Sequence, residues 1–196
     1  MPFPAFIEHT RDGEKAYDVY TRMLKDRIVF LTGVVREEMA NHLVAQLLLL
    51  ESQNDKAPII MYVNSPGGSV THGMSIYDTM QYITSPIHTV VIGQAASMAS
   101  LLACSGEHRS ITTNSRHMIH QPLGGASGQA TDVLIHANEL VRWKEVLTKI
   151  YQKHTGQDYD KLVADMERDN YMTAEQAKAY NLVDEIVEKR IESTTD

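Results

Sequence analysis

Gly93-Gln94-Ala95-Ala96-Ser97-Met98-Ala99-Ser100-Leu101-Leu102-Ala103 is the stretch on which the reading of this chain turns. The apolar run Ile87 to Ile92 before it suits a strand, and the apolar run after it suits a buried helix, so Ser97 falls where a strand becomes a helix. Small residues at Gly93, Ala95 and Ala96 allow a second backbone to come close. A helix N-terminus also presents unpaired N–H groups, that of Met98 among them, to a developing anion. Two readings fit this much: Ser97 as a nucleophile, and Ser97 as an ordinary N-cap, for which serine is a favoured residue.

Towards the N-terminus, Ala57 to Val63 reads as a second buried strand, followed by the turn residues Asn64-Ser65-Pro66-Gly67-Gly68 and a helix from Ser69 to Ile83. Arg27 to Thr32 reads as a strand stopped by Gly33, and Arg36 to Gln53 as a helix whose Met39, Ala40, Leu43, Val44, Leu47 and Leu50 recur at three- and four-residue steps. Residues 1–16 show no clear period and hold a turn-like Asp12-Gly13, which suggests a mobile or hairpin-like arm. Towards the C-terminus, Arg109 to Thr113 and Arg116 to His120 read as short strands around a turn at Asn114-Ser115. A long helix is expected from Thr131 to about His154, a short one from Lys161 to Arg168, and a turn at Asp169 to Met172. Thr173-Ala174-Glu175-Gln176 has the form of a capping box, Leu182 to Val187 of a last strand, and residues 188–196 of a charged tail.

Alternation of strands and helices predicts an α/β fold, a mainly parallel sheet with helical crossovers, in a single domain over residues 17–187. In such sheets sites form at the carboxyl ends of strands, where both the Gly67-Gly68 turn and the Ser97 turn fall. The long helix would run roughly 36 Å at 1.5 Å per residue. Its apolar residues, Leu134, Val141 and Trp143 among them, cover more circumference than a small core needs, so burial against another subunit and an ordinary helix over the sheet both fit.

The formal charge of −7 is spread along the chain without a basic stripe, which argues against a nucleic-acid surface. Cys104 is the one cysteine, so neither a disulfide framework nor a cysteine metal site is available, and no cofactor or metal is expected. The uncharged span from Thr79 to Gly106 is broken by Pro86, Gly93 and Gln94, which fits a buried strand and helix better than a membrane span. Met1 to Ile7 has neither the basic nor the apolar part of a secretory signal, and the cytoplasm is the simplest expected location, with the mitochondrial matrix or a plastid as alternatives.

A serine nucleophile needs a base. Of nine histidines, His120 stands out because it ends the strand-like Met118-Ile119 and precedes Gln121-Pro122, which stops pairing and exposes the side chain at the sheet's end. His117, three residues earlier, faces the other side of the strand. A carboxylate must then hold the imidazole, and Asp169 is one candidate among twenty-five acidic residues, with nothing local to single it out from a solvated charge. Gly67-Gly68 offers a bare backbone whose N–H can point at an oxyanion, and it serves equally as a tight turn.

Four blocks taken together are more specific than any of these residues alone. Asn64-Ser65-Pro66-Gly67-Gly68, Gly93 to Met98, Met118-Ile119-His120-Gln121-Pro122-Leu123-Gly124-Gly125 and Glu167-Arg168-Asp169-Asn170 resemble, in order and spacing, the signature blocks of the ClpP family, the serine peptidase subunits of Clp proteases. The resemblance runs from about Tyr17 to Val187. It implies a ClpP/crotonase-like fold, with Ser97 as nucleophile, His120 as general base, Asp169 as the residue that orients it, and Gly68 and Met98 as oxyanion donors. It also implies two stacked seven-membered rings enclosing a chamber, with a projecting handle region at residues 121–155 interlocking the rings and N-terminal arms at the axial pores. Hydrophobic surface pockets would receive a hexameric Clp-family ATPase of the ClpX or ClpA type, which feeds unfolded protein to the chamber, and Glu167 and Arg168 would pair between rings. No Walker motif occurs in this chain, so ATP would be used by the partner.

Two departures from the family pattern stand out. Ala99-Ser100 replaces the usual Gly-Ala, and His117 occupies a usually apolar position. An inactive assembly or docking subunit, and a crotonase-type acyl-CoA enzyme using a similar oxyanion hole, are the competing readings; the second would need a carboxylate acid/base pair in place of the Ser, His and Asp blocks.

Overall fold

In chain order the computed structural model, which describes residues 5–10 and 13–189, begins with β1 (Ala5–Thr10), β2 (Gly13–Asp18), α1 (Val19–Lys25), β3 (Ile28–Val35), α2 (Glu37–Gln53), β4 (Ile59–Gly68) and α3 (Val70–Tyr82). It continues with β5 (Ile87–Ala96), α4 (Met98–Cys104), β6 (His108–Thr112), β7 (Arg116–Ile119) and α5 (Ala130–Thr155). The last elements are α6 (Tyr159–Asp165), β8 (Asn170–Thr173), α7 (Ala174–Ala179) and β9 (Glu185–Val187). Of the charged tail expected at 188–196, residues 190–196 lie outside the described residues, as do residues 1–4 and 11–12 of the N-terminal arm.

β1 and β2 form an antiparallel hairpin of their own. The main sheet is mixed and mainly parallel, ordered β3-β4-β5-β6-β9, with β7 also on β5 and β8 on β7. β5 forks: its first half pairs with β6 and its second half with β7, both parallel. β7 then turns antiparallel to β8, the one antiparallel pair of this sheet among the described residues. Burial along β4 alternates residue by residue, so one face is packed under helices and the other is only partly covered. On the packed face, α2 buries Ala40, Leu43, Leu47 and Leu50, and its Glu37 and Glu38 sit where the helix dipole favours negative charge. α4 is buried along its whole length between β4, β5, α3 and α5. On the other face α1 packs on β3, with Tyr20 edge-on to Phe30 at 5.2 Å and Phe30 stacked on Tyr62.

Three local expectations are corrected. β3 is not stopped by Gly33; it passes through a register shift between Thr32 and Val34, where Gly33 takes φ +74, and then pairs again. Likewise β4 runs on through Pro66 to Gly68, because Val34 and Val35 supply partners for Gly67 and Gly68. Asp169 does not sit in a turn between helices: the chain enters β8 at Asn170, and Asn170 faces Ile119 across the antiparallel pair. The capping box at Thr173 and Gln176 is present as read, and Cys104 is buried at the end of α4.

α5 is 26 residues long and ends at Gly156 in a left-handed conformation. Its buried residues begin only at Leu147, while Leu134, Ile135 and Val141 are 64%, 60% and 58% exposed. The second half therefore packs on α4 and α6, and the first half leaves Leu134, Ile135 and Val141 to solvent. No helix among the described residues is long and apolar enough to cross a membrane.

Candidate active site

Ser97 occupies the N-cap position of α4 yet makes no side-chain capping bond. Its backbone takes φ +56 and ψ −125, a costly region for a residue with a Cβ, and the surroundings hold it there. The Ser97 N–H donates to the Met118 carbonyl at 2.8 Å, and its carbonyl accepts from the N–H groups of Ser100 and Leu101 and from the Tyr151 hydroxyl at 3.3 Å. Freed from capping, Ser97 Oγ lies 2.8 Å from His120 Nε2. His120 Nδ1 lies 2.9 Å from Asp169 Oδ1, so three of the expected residues form one hydrogen-bonded chain. With the Nδ1–H donating to the carboxylate, Nε2 is left as an acceptor for the serine proton.

The fold brings these three together through β7. Its pairing with the end of β5 carries His120 up beside Ser97, and its pairing with β8 carries Asp169 in on the far side. His120 is 12% exposed and Asp169 57%, so the serine and imidazole are sheltered while the carboxylate still meets solvent. The segment before Asp169 is tied to the residue after His120: the Gln121 N–H donates to the Met166 carbonyl at 2.6 Å, and its side-chain amide to the Glu167 carbonyl at 2.9 Å. Lys144 on α5 also reaches Glu167 at 3.2 Å, and this contact lowers the Glu167 carboxyl below its ordinary range.

Gly67 and Gly68 lie against the Ser97 turn. An added Cβ on Gly67 would stand 2.7 Å from Ser97 Cβ and 2.9 Å from Met98 N, and one on Gly68 would stand 2.3 Å from the Val35 carbonyl oxygen. Both positions have positive φ, +88 and +151. Only glycine permits that approach and that backbone together. Met98 opens α4, so its N–H has no acceptor within the helix. Gly68, Ser97, Met98 and His120 line one cleft of ≈ 520 Å³, whose further walls include Val70, Leu123, Trp143 and Leu147.

Two supports were not read from the sequence. Ser65, fully buried, donates to the Gly33 carbonyl at 2.5 Å and accepts from the Gly67 N–H at 3.1 Å, which fixes the glycine pair. The available signal was a serine two residues ahead of a glycine, the form of a side-chain-closed turn. Tyr151 reaches Ser97 from α5, and burial raises its hydroxyl well above the ordinary tyrosine range, which keeps it a donor. Nothing in the local sequence separates it from its apolar neighbours Leu147 and Ile150. No group of residues suited to a metal ion occurs among the described residues.

A family model for Clp protease matches residues 11–190, nearly the whole chain.

Proposed function

The chain belongs to the Clp protease family, and from that premise we propose that it is a serine endopeptidase subunit in which Ser97, His120 and Asp169 cleave peptide bonds. The observation that carries the proposal is the unbroken chain from Ser97 Oγ to His120 Nε2 at 2.8 Å and from His120 Nδ1 to Asp169 Oδ1 at 2.9 Å, open to a cleft. Ser97 Oγ attacks the scissile carbonyl carbon while His120 takes its proton, and the carbonyl oxygen gains the negative charge. The N–H groups of Gly68 and Met98 stabilise that oxyanion; one lost donor of this kind typically costs about 3–4 kcal/mol. His120 then returns the proton to the leaving amine, and the acyl group stays on Ser97. Water, deprotonated by His120, attacks the ester, and the carboxylic product leaves with Ser97 restored. Apolar walls at Val70, Leu123, Trp143 and Leu147 suit an apolar side chain beside the scissile bond.

Membership of the family extends the proposal to assembly. Exposed Leu134, Ile135 and Val141 on the first half of α5 are the surface that other copies would cover in two stacked seven-membered rings. A hexameric Clp-family ATPase would deliver unfolded protein to the enclosed chamber. Hydrolysis of a short fluorogenic peptide ending in an apolar residue, with sizing of the same sample, tests the reading. The expected result is activity in a particle of many copies that Ser97→Ala abolishes without changing its size. Activity that survives Ser97→Ala refutes the assignment.

A further inference from the structure

Two of the three positions that depart from the family pattern, Ser100 and His117, far apart in the chain, meet beneath the site. Ser100 Oγ on α4 lies 2.9 Å from His117 Nδ1 on β7, and both residues are 0% exposed. Ser100 follows Ser97 by one helical turn, and His117 precedes His120 along the strand, so the same two elements are joined twice: once by Ser97 and His120 at 2.8 Å, and once by this buried pair. The β5 and β7 register places Ala95 beside His117 and Ala96 beside Met118, directly before the Ser97 N–H bond to the Met118 carbonyl. A slip of β7 against α4 would therefore break the buried bond and the Ser97–His120 contact together.

His117 Nε2 is buried with no hydrogen-bond partner. An orphaned acceptor costs less than an orphaned N–H, so the favoured tautomer carries its proton on Nδ1 and donates it to Ser100 Oγ. Burial, with the nearby Arg109 charge as the lesser cause, lowers the His117 pKa to about 3, so the ring is neutral at ordinary pH and supplies a single directed hydrogen bond. Tyr151 also interacts with the Ser100 hydroxyl and donates to the Ser97 carbonyl, which brings α5 into the same junction.

We propose that the His117–Ser100 hydrogen bond is a brace that holds the strand bearing His120 in register with the helix bearing Ser97, making His117 and Ser100 positioning residues for peptide hydrolysis. The proposal rests on the reading of Ser97 and His120 as nucleophile and base. Displacement of a reacting group by about 1 Å costs on the order of 10²-fold in rate, so partial loss of the brace is expected to cost about tenfold in kcat with KM unchanged.

The test compares Ser100→Ala, His117→Asn and His117→Gln in assembled, full-length protein, well below the lowest thermal midpoint of the set. The readouts are kcat and KM for peptide hydrolysis and the rate at which diisopropyl fluorophosphate phosphorylates the nucleophile, fluoride leaving and the serine proton passing to the base. Ser100→Ala is expected to lower kcat and the phosphorylation rate by the same factor. His117→Asn places an amide N–H where Nδ1 stands and is expected to retain activity, whereas His117→Gln moves its donor towards the Nε2 position and is expected to behave like Ser100→Ala. Unchanged kcat in Ser100→Ala, or equal kcat in the two His117 variants, overturns the proposal; if Ser100→Ala does not fold, the His117 pair decides alone. Ser97→Ala run alongside keeps the two claims apart: hydrolysis that needs Ser97 but ignores Ser100 and His117 refutes the brace only, and hydrolysis that ignores Ser97 refutes the active-site reading beneath it.

Discussion

Gly67→Ala should disable the enzyme while leaving it folded. The added Cβ would stand 2.6 Å from the Ala96 carbonyl oxygen, 2.7 Å from Ser97 Cβ and 2.9 Å from Met98 N, where ordinary contact begins at 3.4 Å. None of these atoms is the free end of a flexible side chain, so the end of β4 and the Ser97 turn must part by about 0.8 Å, the difference between 3.4 and 2.6 Å. A φ of +88 adds about 1–2 kcal/mol of backbone strain, and overpacking about 1–3 kcal/mol more. On the proposed mechanism the displacement would draw the neighbouring Gly68 N–H away from the oxyanion and widen the Ser97 turn together. Misplacement on the order of 1 Å, or loss of one oxyanion donor, each costs about 10²-fold or more, so kcat should fall roughly 10²-fold. KM should change little, since the wall residues Val70, Trp143 and Leu147 are untouched. The assay is steady-state hydrolysis of a fluorogenic peptide beside a urea titration. A folded variant with kcat within about threefold of the parent would refute the argument that the Gly67 backbone sets the spacing of the site.

Burial of neutral His117 makes stability depend on acid. Its pKa is about 3 in the fold and 6.5 unfolded, so the unfolded chain takes up the proton first; the contribution is complete above pH 6.5 and is lost as pH falls towards 3. Urea titrations across that window should show about 1.4 kcal/mol per pH unit from this residue, and an unaltered slope in His117→Asn would count against it. Arg109 is buried and bonded to Asp184, to Asn181 and to the His154 carbonyl, joining β6 to the ends of α5 and α7. Arg109→Met should destabilise by about 2–3 kcal/mol because the buried carbonyl acceptors lose their donor while the partly exposed Asp184 can turn to water, and a loss under about 1 kcal/mol in the same titration would show that they find others.

The alternation of strands and helices was legible because each segment carries its own period: of the α2 residues Met39, Ala40, Leu43, Val44, Leu47 and Leu50, four are buried and Met39 and Val44 are partly buried against the same core. The limits of the strands were less so, since a strand continues as far as a partner exists. Pro66-Gly67-Gly68 has the composition of a turn, but Val34 and Val35 lie alongside and extend the ladder. β8 is four residues long and, among the described residues, has only β7 as partner; it is too short for any period to show. α1 has no fully buried residue, so it carries no strong apolar stripe to read; Leu24 packs partly buried against the core and Tyr20 meets Phe30 edge-on.

At the site, local sequence reached only as far as each residue's own segment. Whether Ser97 capped α4 or faced a base depended on its backbone angles, because serine suits both and nothing adjacent decides. At φ +56 and ψ −125 the side chain makes no capping bond to the helix N–H groups and meets His120 instead, so one strained residue decides against the capping role. Glycine would hold those angles with less strain and would contribute no hydroxyl. A serine kept there, with its N–H bound to Met118 and its carbonyl held by α4 and by Tyr151, means that the surrounding contacts sustain the strain while Oγ remains available. Asp169 illustrates the opposite limit. Its place depends on β8 meeting β7, a contact between residues far apart in the chain, so among the acidic residues only the order and spacing of all four blocks could single it out.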